Sequence, residues 1–374
     1  MKKLGFGLMR LPLLDAHNDK TIDINQTKKM VDMFLQRGFT YFDTAWMYHA
    51  FESEKAVKQV LTSRYPRNAY TIATKLHCAF VKSLEDRDKI FSAQLENTGV
   101  DYFDYYLLHD MGREHLEIYK KFDCFNWLKS KKQAGLVKQI GLSFHDTADL
   151  LDEILTEYPD MDFVQLQINY LDWESDSIQS RKCYEVARKH NKPIIVMEPV
   201  KGGTLANVPD NVRELFKAIH PDWSPASWAL RFAAGLDNVM MVLSGMSNMS
   251  QLEDNTSFMG NLAPLSAEEL RAVRTAADMI NGNISVACTG CSYCTEGCPK
   301  KIAIPKYFAL YNEDKREVLH AARQWTAQLD YYENLLNNFG AAGDCIGCGA
   351  CEAACPQHLP IIEHLKQVKE HFGR

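Results

Sequence analysis

From residue 4 to about residue 260, short apolar runs alternate with segments whose apolar positions recur every three or four residues. The runs predict strands at Leu4–Met9, Tyr41–Thr44, Tyr70–Lys75, Phe103–His109, Val137–Phe144, Phe163–Asn169, Pro193–Glu198 and Val239–Gly245. Most are nearly continuous in apolar character, as expected of parallel strands buried on both faces. Between them the helical period predicts helices at Thr27–Arg37, Ser53–Arg64, Ser83–Asn97, Leu116–Ala134, Thr147–Glu157, Ser177–Lys189, Pro225–Ala234 and Ser250–Phe258. Eight strands and eight helices in strict alternation over about 250 residues give the arithmetic of a (β/α)8 (TIM) barrel. A doubly wound open sheet needs a glycine-rich fingerprint after its first strand; Gly5 and Gly7 lie inside the strand and no third glycine follows.

After Gly260 the pattern changes. A helix over Ser266–Ile280 opens with Ser266 and Glu269 in capping-box spacing, and Asn281-Gly282-Asn283 breaks the chain. The predicted division is a barrel over 1–282 and a smaller, mainly helical domain over 283–374. In the second part Trp325, Leu329, Tyr332, Leu336 and Phe339 recur at spacings of four and three, which makes one face apolar.

Composition adds exclusions. Hydrophobic residues make up 46% of the 374 and charged residues 24%, ordinary for a globular protein. No run of about 18 uncharged apolar residues is present to cross a bilayer. The start, Met1 to Arg10, resembles a signal peptide, but Arg10 and Pro12 interrupt its apolar stretch, so a cytoplasmic protein is expected. A net charge of −6 argues against nucleic acid as a partner. The short basic piece Lys129 to Lys132 reads as a solvated helix face.

Eight of the eleven cysteines fall after position 285. Cys288, Cys291, Cys294 and Cys298 stand at spacings of three, three and four before Pro299, and Cys345, Cys348, Cys351 and Cys355 repeat the run before Pro356. This is the bacterial ferredoxin run, present twice, in which the fourth cysteine ligates the other cluster. The expected cofactors are two [4Fe-4S] clusters. Cys288, Cys291, Cys294 and Cys355 would hold one, and Cys345, Cys348, Cys351 and Cys298 the other. Zinc has no use for a doubled three-plus-one arrangement, and disulfides are not expected without a secretion signal. The long insertion between the groups resembles the helical ferredoxin module of respiratory dehydrogenase subunits. Cys78, Cys124 and Cys183 stand alone and read as small buried hydrophobes.

Barrel catalysis collects at the C-terminal ends of strands. There the sequence sets Asp43 after Tyr41-Phe42, Lys75 after Thr71 to Thr74, and His109 after Tyr105 to Leu108, with Tyr48 just beyond the second strand. One such residue says little, whereas four on three successive strand ends make a constellation.

With these residues the chain resembles the aldo-keto reductase family. The match runs from Leu4 to Pro12, through Phe42 to Ala45 with Tyr48, Ser53 and Glu54, to Thr74-Lys75 and Leu107 to His109. It continues through Ile140 to Ser143, Gln165 to Asn169, Glu198-Pro199, and Ser244-Gly245 with Gln251 to Glu253 and Asn255. The resemblance covers about the first 260 residues, and the whole chain is similar to the branch with a C-terminal iron–sulfur domain. It implies Tyr48 as general acid or base, Lys75 stabilising its phenolate, Asp43 holding Lys75 charged, and His109 orienting the substrate oxygen. It also implies Ser143 and Gln165 as contacts to a nicotinamide carboxamide, with Gly245 and Asn255 toward the adenosine end.

Four positions depart from the family pattern. Phe144 stands where Asn is common, and Met197 where an aromatic residue often stacks on the nicotinamide. Gly245 and Gln251 stand where basic residues usually grip a 2′-phosphate, and Ser244 to Asn255 contains none. Little preference for NADP over NAD is therefore expected, with a flavin as the alternative carrier. Lys201, beside Gly202-Gly203, is the remaining candidate for a phosphate, and Trp46, Phe80 and Trp173 are candidates for an aromatic pocket. The reading is an oxidoreductase exchanging hydride between a carbonyl or alcohol and a nicotinamide or flavin. Its clusters would relay single electrons to or from ferredoxin or flavodoxin. The alternatives are a non-catalytic redox sensor or adaptor, and an ordinary carbonyl reductase braced by structural clusters.

Overall fold

The structure, a computed structural model, describes residues 2–16, 18–176, 178–282, 285–286, 288, 290, 292–315, 326–355 and 358–373. Eight parallel strands close into a barrel in sequence order: β1 Leu4–Gly7, β2 Tyr41–Asp43, β3 Thr71–His77, β4 Phe103–Met111, β5 Val137–Phe144, β6 Phe163–Gln167, β7 Ile194–Met197 and β8 Val239–Gly245. Closure is direct, with Gly5 of β1 in register with Leu243 of β8.

Strand side chains alternate between the barrel interior and the surrounding helices. Tyr41, Ala73, Leu107, Phe163, Ile195, Met241 and Leu243 form one interior cluster. The interior is full. Gly141 is required beside Phe163, because a Cβ there would fall 2.6 Å from the Phe163 carbonyl oxygen and 2.7 Å from its ring. Two residues further along the same inward faces come Asp43, Lys75, His109, Ser143, Gln165, Met197 and Gly245. One step of the strand period thus converts a packed floor into a ring of polar groups.

The helical layer departs from strict alternation in two places. The segment expected as one helix over Leu116–Ala134 is two, Arg113–Lys121 and Cys124–Gln133. Asp123 takes φ 49° at the break, and the Arg87 guanidinium donates to the carbonyls of Phe122 and Asp123 that the interruption frees. Between β7 and β8 lie Asp210–Ile219 and Pro225–Gly235, the first unforeseen and seated through Val212 and Phe216. The expected helix over Ser53–Arg64 is α-helical only to Val57 and widens into a π-turn over Lys58–Thr62.

The C-terminal region is helical, with Ile304–Lys315, Ala327–Leu336 and Ile361–Phe372 as its longer described helices. Tyr307, Phe308, Tyr332, Leu365 and Val368 are among its core residues, and Ile178 of the barrel region joins that core. Of the expected apolar face, Tyr332 is fully buried and Leu329 and Leu336 pack partly. Phe339 lies beyond the helix end, and Trp325 is outside the described residues. A hydrogen bond of 2.6 Å from Ser175 Oγ to Glu313 Oε1, and one of 3.1 Å from Asn334 Nδ2 to the His145 carbonyl, tie this region to the barrel. Among the described residues no helix is long and apolar enough to cross a membrane.

Candidate active site

Lys75 reaches the end of β3 with no exposed surface, and a buried ammonium must satisfy its N–H donors inside the protein. It has three partners: Asp43 Oδ1 at 2.5 Å, the Thr44 carbonyl at 2.7 Å and Tyr48 Oη at 3.3 Å. Burial alone would drive the Lys75 pKa down, but Asp43 outweighs it and the ammonium is held more firmly than in water. Behind β3, Glu54 accepts from Thr74 Oγ1 at 2.6 Å and Gln94 Nε2 at 2.7 Å, and Gln94 also donates to the Lys75 carbonyl. Thr44 and Ser53 hydroxyls meet at 2.8 Å, joining the end of β2 to the following helix.

The Tyr48 ring lies edge-on to His109, with centroids 5.7 Å apart. Its phenol departs from the expectation of a simply stabilised phenolate. Burial pushes the pKa above the ordinary value, and the neighbouring Lys75 only partly opposes it. His109 is driven well below the ordinary imidazole value by burial and then by the Lys75 charge, so it is neutral at neutral pH. Its Nδ1 is buried without a hydrogen-bond partner.

Ser143 Oγ accepts the Asp110 N–H at 2.8 Å, and Gln165 Nε2 lies 3.5 Å from the Met197 sulfur. Gln165 Oε1 is buried with no partner, an open acceptor of the kind a carboxamide N–H satisfies. Gly245 lies against the Arg10 side chain, 2.8 Å from Cδ to a Cβ built on the glycine. Asn255 lies outside the ring, donating to Ser244 Oγ at 3.0 Å.

Lys201 is not a phosphate ligand: it is fully buried and paired with Asp172 at 2.5 Å. Asp172 also accepts from Gln167 and Asn169, so the group is internal scaffolding. Trp173 packs on Tyr184 and Phe232, away from the other aromatic candidates. Trp46 and Phe80 instead meet through Phe51, and Phe80 touches His77. The basic residue that sequence reasoning missed is Arg10, whose Nη2 lies 3.1 Å from Glu198 while its Nη1 is buried without a partner. Thr44, Gln94, Asp110 and His145 were missed as well. The only signal in the sequence was their position beside strand ends or on a neighbouring helix.

In the C-terminal region Cys298, Cys345, Cys348 and Cys351 line one solvent-open hollow together with Ile302, Ile304, Ile362 and Leu365. The hollow brings the sequence-distant Cys298 together with the three cysteines with which the ferredoxin run groups it. Cys288, Cys294 and Cys355 belong to the same region's core, while Cys291 lies outside the described residues. Cys78, Cys124 and Cys183 are buried, and burial pushes each thiol up to about 12, as suits inert packing.

A profile of the Aldo/keto reductase family matches residues 3–278, and one of the 4Fe-4S dicluster domain matches residues 287–359. The chain is 22% identical over 284 residues to an uncharacterized oxidoreductase of Bacillus subtilis, covering 67% of this chain and 87% of that protein. It is 28% identical to an aldo-keto reductase of Mycolicibacterium vanbaalenii, covering 59% and 73%. Among solved structures, an aldo-keto reductase of Bacillus halodurans in its holo form superposes with a TM-score of 0.60 at 22% identity, over 73% of this chain and 91% of that one. An aldo-keto reductase of Klebsiella pneumoniae in complex with NADPH gives 0.56 at 17% identity, over 73% and 90%.

Proposed function

The chain belongs to the aldo/keto reductase family and carries a 4Fe-4S dicluster domain after its barrel, and from that premise we propose that Tyr48 is the proton-transferring group of its carbonyl–alcohol chemistry. The protein is an oxidoreductase. The observation that carries the proposal is the buried Lys75 ammonium bonded at once to Asp43, the Thr44 carbonyl and Tyr48.

A nicotinamide cofactor, of the kind held by the Klebsiella neighbour, supplies the hydride when bound. Ser143 and Gln165 hold its carboxamide. The remaining chemistry belongs to side chains. Tyr48 keeps its proton in the resting site because burial disfavours the phenolate. As negative charge gathers on a carbonyl oxygen, Tyr48 gives up that proton, and Lys75 stabilises the phenolate left behind. Asp43 keeps Lys75 charged and fixed. Neutral His109 donates a hydrogen bond to the same oxygen and places the carbonyl for attack. Alcohol oxidation runs through the same groups with Tyr48 as base.

The clusters, held by the two crossed sets of cysteines, supply one-electron storage. A hydride moves two electrons and a cluster one, so joining them would need a flavin that takes electrons singly and passes them as a pair with a proton, and the outward partner would be a one-electron carrier such as ferredoxin or flavodoxin.

Tyr48→Phe tests the proton step. Reduction of a panel of small aldehydes and ketones by NADH or NADPH should fall at least about a hundredfold, since general acid catalysis contributes 10²–10⁴. Nucleotide affinity should stay within about twofold. Undiminished turnover on every active substrate would remove Tyr48 from the mechanism.

A further inference from the structure

One cluster of ligating side chains lies next to the catalytic ring and takes no part in it. At the end of β4 the register against β5 shifts between Leu108 and Met111, and Asp110 takes φ 54°. That irregularity sets Asp110 beside His109 on the mouth of the barrel, where regular alternation would turn it outward.

The Asp110 carboxylate is gripped on one side only. The Ala79 N–H donates to His77 Nδ1 at 3.0 Å, so His77 carries its proton on Nε2, which faces Asp110 Oδ2 at 3.4 Å. His115 presents Nδ1–H to the Asp110 carbonyl. Both rings therefore act as donors to Asp110, although one ligand atom from each of His77, Asp110 and His115 also lies within 4.8 Å of the others. Asp110 Oδ1 is buried with no hydrogen-bond partner.

Directly after β5 stands His145, 5% exposed, with its Nδ1 also buried and unpartnered. The third member comes from the iron–sulfur region: Asp330 sits in the first turn of the helix Ala327–Leu336. One ligand atom from each of Asp110, His145 and Asp330 lies within 4.8 Å of the others. Asp110 and His145 thus each hold a buried polar atom without a hydrogen-bond partner, which buried groups usually have, and a carboxylate from a separate element comes within ligand distance of both residues.

We propose that Asp110, His145 and Asp330 form a divalent metal site that fastens the helix Ala327–Leu336 to the barrel mouth, one residue from His109. The donor set is one imidazole nitrogen and two carboxylate oxygens. That mixture suits Mn(II), Fe(II) or Zn(II), whereas soft Cu(I) calls for sulfur ligands and Ca(II) for six to eight oxygens. His77 and His115 act as outer partners that fix the orientation of Asp110, as second-layer hydrogen bonds do around protein-bound metals. The existing tie from Asn334 Nδ2 to the His145 carbonyl lies one turn along the same helix from Asp330. The site thus continues a contact already made.

Manganese distinguishes this site from the cluster cysteines, because thiolates select softer metals. The cluster-loaded full chain is desalted under anaerobic conditions and titrated with Mn(II), and the EPR signal of free Mn(II) is read; oxidised [4Fe-4S] clusters are EPR-silent. One bound Mn(II) per chain is expected. Asp330→Asn and His145→Gln should each weaken binding at least tenfold at unchanged cluster absorbance, and Asp330→Glu should restore most of it. No bound Mn(II) in the parent chain would overturn the proposal. So would equal affinity in the parent and both weakened variants.

Discussion

At the scale of single residues, the site is governed by burial acting against charge. Lys75 and His109 are both removed from water, yet their pKa values move in opposite directions, because Asp43 lies against Lys75 whereas Lys75 lies toward His109. The consequence is a resting state with an ammonium, a neutral imidazole and a protonated phenol. This fixes the form of the pH profile. His109 is needed neutral, and its folded pKa is depressed, so the acid loss that it causes lies below the ordinary imidazole value near 6.5. Tyr48 is needed protonated for reduction, and its pKa is raised, so the alkaline loss lies above about 10. kcat/KM for carbonyl reduction should therefore be flat between about pH 6.5 and 9. A fall centred on 6.5 would show a water-exposed His109 and contradict the geometry.

At the scale of elements, a strand's side-chain period of two explains both what places the ring and what fills the space beneath it. Phe163 lies one inward step below Gln165, and its ring is accommodated by the missing side chain of Gly141. Gly141→Ala should destabilise the barrel by about 1–3 kcal/mol through overpacking, lowering the thermal midpoint by several degrees. An unchanged melting curve by circular dichroism would mean that β5 and β6 separate freely. The same period made Asp43, Lys75 and His109 legible in the sequence, since each closes an apolar run. Tyr48 lies beyond its strand in turns with no periodicity; its place just past β2 made it a candidate, and the family resemblance supplied its role. Asp110 was illegible for a different reason: it is re-aimed by a bulge and a positive φ that no hydrophobic pattern records. The break at Asp123 was hidden because apolar positions continue at helical spacing on either side of it, while the cause, Arg87, is remote in sequence. Lys201 misled because adjacent glycines suggested phosphate binding, whereas its partner Asp172 lies 29 residues away.

At the scale of the whole molecule, the doubled cysteine run was the most legible feature, because cluster ligation is written in spacing alone. The hollow that Cys298, Cys345, Cys348 and Cys351 line together adds the spatial counterpart. Cys298→Ser should cost the cluster whose other ligands are Cys345, Cys348 and Cys351, reducing the iron content from about eight to about four per chain. Loss confined to the cluster held by Cys288 and Cys294 would reverse the crossed assignment. The joining of the two parts is what sets this chain apart from a barrel acting alone. Ser175 with Glu313, and Asn334 with the His145 carbonyl, bring the helical region to the mouth where Tyr48 and His109 lie. The central claim is that both parts serve one reaction, and an anaerobic assay with reduced methyl viologen as the only electron source tests it most directly. The cluster-loaded chain, supplied with a flavin to pair the electrons and a catalytic amount of nicotinamide cofactor, should convert a carbonyl to its alcohol. That activity should be lost in Tyr48→Phe and in Cys298→Ser, while NAD(P)H-driven reduction survives in Cys298→Ser. Equal viologen-driven turnover in the parent chain and in Cys298→Ser, or none in the parent chain, would contradict it.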